Sequence, residues 1–414
     1  METLNVIGVI VAATIIALAG IAAVAAGASL LLVQSASATT DITMTTTTTT
    51  AVEGEQEAVS STTTITDNVS NAVLGSLFLT GEDKLTNFNP INETYTEVSY
   101  AGNRTIMPPD STTMTTINAT ETGNLTLNLQ PNGITLVEGQ SLLVTQGANN
   151  NGSEQENATA LLVDLNGVRP DDPRSSTGVA FFSTNSTGQL AFLDNMIAIY
   201  QVKASQEGTA IRMWEWKGAE LPFDSGSAAP SWGNQTTTIT GALEEEEETI
   251  STMTTTTNNN VSNAVLGSLF SFGEGTEATV NQINGTYSVI SYSGNRIIMP
   301  PNTTGVVINT TETGNLTVNL QPNGLSIQQG QAFIVTEDGA AAEEKKENAT
   351  LTFVMLSRTN PDGTGDGTSP TFFSTNSTGR LAFLNNMVAI GQTEFSPEGA
   401  RFREWEWKGG TPQE

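Results

Sequence analysis

Hydrophobic and polar residues alternate in two corresponding runs of the chain. Residues 125–129 read LTLNL, and residues 316–320 read LTVNL. A period of two places every second side chain on one face, as in a half-buried strand. Each run is followed by QPNG, at 130–133 and 321–324, which supplies the proline and glycine of a tight turn. Each run therefore predicts one strand of a β-hairpin.

Further short strands, separated by turn residues, are predicted on both sides of the run at 125–129. The breaks include Gly102-Asn103, Gly123 and Gly139. Only 69–77 and 196–203 also fit a helical turn or two. Many short strands with turn signals between them are typical of an all-β fold, here an antiparallel β-sandwich or barrel-like module. The predicted strands are 73–79, 94–100, 104–107, 113–118, 125–129, 141–146, 159–165, 179–183, 189–193, 196–202 and 210–216.

The chain contains this module twice. Residues 181–199 read FFSTNSTGQLAFLDNMIAI and return at 372–390 with three of nineteen positions changed. Around this segment, a first module at 67–218 reappears as a second at 259–410. Each copy is long enough to bury its own core. The sequence therefore predicts two tandem antiparallel β-sandwich or barrel-like modules.

An apolar segment precedes the first module. Residues 6–33 carry no charge and span about 42 Å as a helix, whereas a bilayer core needs about 20 residues. Ala36-Ser37-Ala38 also matches a signal-peptidase site. Residues 1–38 are therefore a hydrophobic leader, a retained transmembrane helix being preferred over a signal peptide cleaved after Ala38. Either leaves the modules extracellular, on the cell membrane or secreted.

Two low-complexity segments separate these parts. A stalk at 39–66 contains six consecutive threonines, and a linker at 219–258 contains five consecutive glutamates. Such composition buries too little apolar area to offset the entropy lost on ordering. Both segments are therefore predicted to be extended spacers, and residues 411–414 are a short tail.

Composition excludes several functions. With 15 Lys+Arg against 43 Asp+Glu, the formal net charge of −28 repels nucleic acid. The chain lacks cysteine and histidine, the usual sources of disulfides, thiolate nucleophiles, imidazole bases and zinc ligands. No catalysis and no cofactor are predicted.

Sixteen Asn-x-Ser/Thr sequons occur in the sequence. Six pairs occupy equivalent positions of the two copies, and N-glycosylation there would require exposed asparagines. The paired positions are Asn68 and Asn260, Asn92 and Asn284, Asn118 and Asn309, Asn124 and Asn315, Asn157 and Asn348, and Asn185 and Asn376.

Each module ends in a strand with an arginine and two tryptophans on one face. These residues are Arg212, Trp214 and Trp216, and Arg403, Trp405 and Trp407. An arginine beside two indoles forms a platform on which a sugar ring could stack. Alternatively, the indoles cap the core and the arginine stem covers them, which is the preferred interpretation.

Two further polar groups are candidates for ion binding. Arg104 and Arg296 follow predicted Gly-Asn turns and are expected to form structural ion pairs with Glu121 and Glu312. Residues 361–368 combine Asp362 and Asp366 with glycines and threonines, as a calcium loop does, but lack the length and final glutamate of an EF-hand. A polar loop is the preferred interpretation of this segment.

The hydrophobic leader, the threonine-rich stalk, the absent cysteine and the STNSTG, LAFL and WEWKG segments resemble exported surface proteins of ammonia-oxidising archaea. The resemblance implies an envelope location and no particular activity. The preferred function is a structural or adhesive surface glycoprotein, held by its membrane helix and contacting envelope proteins or surface glycans. Two alternatives are carbohydrate binding at the Arg–Trp–Trp faces and an envelope protein that binds calcium or enriches ammonium.

Overall fold

The computed structural model describes residues 42–50, 59–67, 73–109, 116–146, 155–166, 175–204, 208–218, 265–301, 303, 306–337, 346–397 and 399–409. The predicted leader at 1–38, the linker at 219–258, the tail and the sequons Asn68 and Asn260 lie outside these ranges. Within the ranges, no helix combines the length and apolar character needed to cross a membrane.

The two modules are two closed antiparallel barrels. In each, every strand pairs with its chain neighbour and the first strand pairs with the last. The all-β prediction is therefore confirmed, in its barrel form. The first barrel comprises β3 (Val73–Pro90), β4 (Tyr95–Ile106), β5 (Ile117–Leu129), β6 (Thr135–Thr145), β7 (Asn157–Asn166), β8 (Ser175–Ser183), β9 (Ile197–Ala204) and β10 (Thr209–Gly218). The second comprises β11 (Leu266–Gln282), β12 (Tyr287–Ile298), β13 (Ile308–Leu320), β14 (Leu325–Thr336), β15 (Asn348–Thr359), β16 (Gly365–Ser374), β17 (Val388–Ser396) and β18 (Gly399–Trp407).

The threonine-rich segment contains paired backbone. Strands β1 (Ile42–Thr50) and β2 (Val59–Asp67) form a separate two-stranded antiparallel sheet, with Ile42 opposite Asp67. This segment was predicted to be an extended spacer, and two parts of it are extended strands that pair with each other. The physical reason is that main-chain hydrogen bonding between adjacent antiparallel segments does not require apolar side chains.

Several predicted turns are interior strand positions. Gly102 lies within β4 and Gly123 within β5. A Cβ atom on Gly102 would lie 2.2 Å from Asp83 Oδ1, and one on Gly123 would lie 2.4 Å from the Tyr100 ring. These glycines therefore make room for side chains from the neighbouring strand rather than marking turns. The strands are consequently longer than predicted.

The segment shared most closely by the two copies covers one end of each barrel. Residues 189–193, predicted as a strand, contain the 3-10 helix η1 (Ala191–Leu193), and η2 (Ala382–Leu384) is its counterpart. The following segment, which also fitted a helix, is strand β9. Leu190 and Leu193 are fully buried among the inward-facing side chains of the first barrel. The segment therefore closes that end of the barrel.

A glutamate holds each closing segment in place. Glu347 accepts hydrogen bonds from the backbone N–H groups of Arg380 and Leu381, both 2.8 Å, and from the hydroxyl of Ser377. Burial disfavours the charged carboxylate, but these bonds outweigh it and lower the pKa of Glu347. Glu156 makes the equivalent bonds in the first barrel.

The outer faces of the two barrels pack against each other through an apolar cluster, the inter-barrel cluster. Trp214 contacts Trp407 with ring centroids 5.8 Å apart, and Trp216 contacts Trp405 at 5.9 Å. Both pairs are edge-to-face, an arrangement that adds to the stabilisation from apolar burial. The reciprocal pairing is the pattern of a two-fold interface between like units. The barrels therefore form one body.

Polar contacts surround this cluster. Asn132 donates to Thr352 Oγ1 at 3.1 Å, and Gln329 donates to Glu138 Oε2 at 3.2 Å. The guanidinium of Arg358 lies 4.8 Å from the centre of the Phe181 ring. These groups fix the relative orientation of two apolar faces that would otherwise interact without directional preference.

We predict that Trp405→Ala lowers the free energy of unfolding by about 3–5 kcal/mol, because it leaves a cavity between the barrels. Trp405 is 1% exposed. The matched control is Phe333→Ala on the outer face of β14, where the ring is 44% exposed, with an expected cost under about 1 kcal/mol. Urea denaturation of both variants measures the difference. Equal costs would contradict a buried inter-barrel cluster.

Candidate ligand site in the second barrel

The second barrel contains a cavity of about 710 Å³ that is open to solvent. This volume lies within the range of about 300–1,000 Å³ that is typical of small-molecule sites. Gln282, Thr286, Thr359 and Ser396 line the cavity at the end of the barrel opposite η2. The cavity therefore runs from the hairpin turns at one end toward the closing segment at the other.

A charged cluster forms the deep end of this cavity. Arg296 Nε lies 2.5 Å from Glu312 Oε2, and Arg296 NH1 pairs with Glu404. The same NH1 donates to Ser271 Oγ at 2.5 Å, and the hydroxyl of Tyr292 donates to Glu312 Oε1 at 2.7 Å. Arg296, Glu312 and Glu404 are each less than 5% exposed. Buried charges of this kind are tolerated because they are paired and hydrogen-bonded.

Burial and charge act in opposite directions within the cluster. Burial raises the pKa of Glu404, although the neighbouring Arg296 guanidinium counteracts this. Burial alone would lower the pKa of Arg296, but the charges of Glu312 and Glu404 outweigh it and raise that pKa. Burial also raises the pKa of Tyr292. Arg296 is therefore a permanent cation, and burial disfavours the charged form of Glu404.

The cavity walls combine two surfaces. Leu316 and Val318 on β13, Phe353 and Met355 on β15, and Phe395 on β17 provide apolar surface. The hydroxyls of Ser369, Thr371 and Thr393 and the amide of Gln328 line the cavity between them. Such a lining binds an apolar body and offers a few oriented polar contacts.

The first barrel contains a related charged cluster in its lumen. Arg104 pairs with Glu121 and, at 2.5 Å, with Asp83, and Tyr100 donates to Glu121 at 2.9 Å. Burial raises the pKa of Asp83 to about 6. In the second barrel, Gly275 replaces Asp83, and Glu404 on the last strand supplies the second carboxylate in place of Met213.

A second polar network occupies the lumen of the first barrel. The hydroxyl of Tyr200 donates to Asp164 Oδ2 at 3.1 Å, and Ser176 donates to the same oxygen at 3.3 Å. Tyr200 lies opposite Gly178 on the adjacent strand, and a Cβ atom there would lie 2.3 Å from the tyrosine ring. The ring therefore fills the lumen beside this glycine.

All three members of that network are replaced in the second barrel. Met355, Gly367 and Gly391 stand where the first barrel has Asp164, Ser176 and Tyr200. The glycine Gly391 is the cross-strand neighbour of Ser369 on one side and Glu404 on the other. Loss of the tyrosine ring thus opens space directly beside the Glu404 carboxylate.

The structure buries the tryptophans of the predicted sugar platform. Trp214, Trp216, Trp405 and Trp407 are between 1% and 8% exposed, in the inter-barrel cluster. Arg212 and Arg403 are half-buried on the same strands. An interpretation of these residues as an exposed carbohydrate platform therefore does not hold, because the other barrel covers the rings that a sugar would contact.

The predicted ion pairs and metal loop have different outcomes. Arg104 pairs with Glu121 and Arg296 with Glu312, as predicted.

In the predicted metal loop, Asp362 lies in an exposed turn and accepts hydrogen bonds from the backbone and side chain of Thr364 at 3.0 and 2.6 Å. Asp366 lies opposite Arg358 in the ladder. No group of three acidic side chains suited to a metal occurs within the described residues, and calcium at this loop stays a prediction.

The described asparagines of the paired sequons are all exposed. These are Asn92, Asn118, Asn124, Asn157, Asn185, Asn284, Asn309, Asn315, Asn348 and Asn376. Asn92 and Asn284 also accept hydrogen bonds from backbone N–H groups within their hairpin turns. Exposure meets the requirement for glycosylation at these positions.

Neither Glu404 nor Gly391 was among the residues predicted to form a site. Glu404 immediately precedes the Trp405 of the predicted platform, and Gly391 follows the repeated segment that ends at residue 390. A comparison of the two copies contained the signal, since Tyr200 is replaced by Gly391 and Met213 by Glu404 within otherwise similar strands.

Neither a family model nor a curated relative matches the chain. Among solved structures, a conserved protein of unknown function from Rhodopseudomonas palustris aligns with 12% identity and a TM-score of 0.26, over 34% of this chain and 97% of that one. A protein of unknown function from Clostridium acetobutylicum aligns with 14% identity and a TM-score of 0.26, over 34% and 98%.

We predict that Asp164→Asn stabilises the chain relative to the wild type as pH rises from about 4 to 7. Burial raises the folded pKa of Asp164 to about 7, above the ordinary value of 3.8. The folded state thus keeps a proton that the unfolded chain releases, so this contribution to stability is lost as pH rises through this range. The difference between the folded and the ordinary pKa of Asp164 corresponds to about 4 kcal/mol.

Urea denaturation at a series of pH values measures this difference. The exposed-carboxyl variant Glu93→Gln controls for the change in net charge. Parallel pH profiles of Asp164→Asn and wild type would contradict a buried, proton-retaining Asp164.

Proposed function

We propose that this protein is an exported, non-catalytic surface glycoprotein whose second barrel binds a small molecule in its lumen. The observation that carries the proposal is the cavity of about 710 Å³, which ends at buried charged groups. A protein core normally fills such a volume with side chains. The first barrel places the Tyr200 ring at the position that Gly391 leaves open.

The two barrels have different roles in this proposal. The first barrel carries the Tyr200, Asp164 and Ser176 network in its lumen and shares the inter-barrel cluster with the second. The second barrel presents its open end at the hairpin turns. Because the tryptophan pairs hold the barrels together, the binding module is fixed to a rigid partner and does not depend on a flexible tether.

The surface location rests on the leader and the sequons. The apolar leader would hold the protein at the cell membrane, or release it if cleaved after Ala38, with both barrels outside the cell. The exposure of the ten described paired asparagines supports a glycosylated outer surface.

A structural or adhesive envelope role is a second proposed function. The exposure of the ten described paired asparagines supports it as well. Glycosylated outer faces would meet envelope proteins or surface glycans, whereas the lumen serves ligand binding. The two functions use different surfaces of the molecule and are compatible.

We predict that a neutral fluorescent probe, N-phenyl-1-naphthylamine, binds the wild type saturably at one site. In the double variant Ser369→Gly/Gly391→Phe, its affinity should fall at least about tenfold, because a ring fills the lumen. The serine is replaced as well because a Cβ atom at Gly391 would lie 2.7 Å from Ser369 Oγ. The pair then copies the aromatic-over-glycine arrangement of Tyr200 and Gly178.

The matched control for this experiment is Gln331→Phe, which adds the same ring at an exposed position on β14. It should bind the probe as the wild type does. Circular dichroism and urea denaturation verify that each variant is folded. Equal probe affinity in the wild type and the folded double variant would show that the probe does not occupy the lumen.

We predict N-linked glycans on several of the ten exposed sequons in protein purified from its native source. Glycopeptide mass spectrometry identifies the sites, and Asn185→Gln and Asn376→Gln should each remove one glycan mass if those asparagines are occupied. The same spectra identify the mature N-terminus. Unmodified asparagine at all ten positions would contradict the glycoprotein proposal without affecting the lumen.

A further inference from the structure

We infer that the ligand of the second barrel is a cationic amphiphile, a protonated amine attached to an apolar chain. This inference rests on the proposed function and specifies the chemistry of the same cavity. Four observations support it. The deep end has more carboxylates than cations, Arg296 already pairs with glutamates, the walls are largely apolar, and the open space lies beside Glu404.

Carboxylates outnumber cations at the deep end. Among the described residues that line the cavity, the charged ones are Arg296, Glu312 and Glu404. One guanidinium therefore faces two carboxylates in a space of low dielectric. Burial and the charge of Glu312 raise the pKa of Glu404, and the Arg296 guanidinium opposes them. A ligand cation near this carboxylate would favour its charged form.

Arg296 already forms ion pairs and hydrogen bonds with other residues of the protein. Its Nε and NH1 groups pair with Glu312 and Glu404, and NH1 also donates to Ser271. The Phe402 ring lies 4.2 Å from the guanidinium carbon and covers one of its faces. A carboxylate ligand approaching Arg296 would meet both glutamates. This arrangement disfavours an anionic head group.

The free space adjoins Glu404. Glu404 and Gly391 are cross-strand neighbours, and both line the cavity. In the first barrel, the equivalent pair is Met213 and Tyr200, so an apolar side chain and a ring occupy the corresponding space. The second barrel thus combines a new carboxylate with a new opening at adjacent positions.

The walls fit an apolar chain rather than a compact ion. Phe353, Met355 and Leu316 line the cavity above the charged cluster, and Val318 and Phe395 continue the apolar surface. An ammonium ion alone would leave this surface and most of the volume unused. An amine with a chain of about ten carbons places its head at Glu404 and buries its tail along these residues.

The test compares decylamine, decanol and decanoate as competitors of the naphthylamine probe. The three share one tail and differ in head-group charge. We expect decylamine to displace the probe at least about tenfold more effectively than decanoate, with decanol between them. About 0.3 M salt suppresses adsorption of the amine to the acidic surface.

Two variants test whether the preference for decylamine depends on the Glu404 carboxylate. Glu404→Gln keeps the shape of the side chain, and Glu404→Met introduces the residue of the first barrel. Each should weaken decylamine binding about tenfold and change decanol binding by less than about twofold. Retention of decylamine affinity in both folded variants would overturn the assignment of the head group to Glu404.

The remaining outcomes separate the inference from the proposed function. If the probe itself fails to bind the wild type, the lumen site is wrong. If the probe binds but decanoate displaces it as well as decylamine does, or none of the three displaces it, the ligand class is wrong and the site remains. If decylamine measured directly by calorimetry binds the lumen-filled variant Ser369→Gly/Gly391→Phe as tightly as the wild type, it binds the acidic surface, and the inference is overturned.

Discussion

Closure of each sheet into a barrel is the constraint on which the rest of the structure depends. Once the first and last strands pair, the lumen has a set diameter, and side chains alternate between the lumen and the outer face except at register shifts. Whether a lumen is filled then depends on the volume of its inward side chains. A single position, Tyr200 in one copy and Gly391 in the other, has a large effect because it lies on the inward face of equivalent strands, β9 and β17.

The same alternation explains why the barrels occur as a pair. On β7, Ala160 and Leu162 face the lumen, whereas Leu161 and Val163 face outward and are nevertheless apolar. An apolar outer face of this size would be exposed in an isolated barrel. A second copy with the same face covers it, and duplication of one module supplies that copy. The tryptophans that suggested a binding platform are therefore the centre of the contact between the copies.

The sequence was sufficient for the fold class and insufficient for the site. Period-two runs such as 125–129 predicted strands correctly, because that pattern reports the alternation of side chains directly. The turn predictions at Gly102 and Gly123 were wrong because a glycine in a strand can make room for a cross-strand neighbour, which only three-dimensional pairing reveals. The ion pairs of Arg104 and Arg296 could be anticipated from charge. The opening beside Glu404 could not, because its residues lie on different strands and become neighbours only through register.

The central claim is that the lumen of the second barrel is accessible beside Gly391, whereas in the first barrel the Tyr200 ring occupies the equivalent position. Because the chain contains no cysteine, a single introduced thiol reports on one position without background. Phe353 lines the cavity, and Leu162, its counterpart, is buried in the first barrel. The direct measurement is the rate at which a small thiol reagent modifies Phe353→Cys and Leu162→Cys under native conditions. The account predicts rapid modification of the first and modification of the second only as the chain unfolds, and equal rates would contradict it.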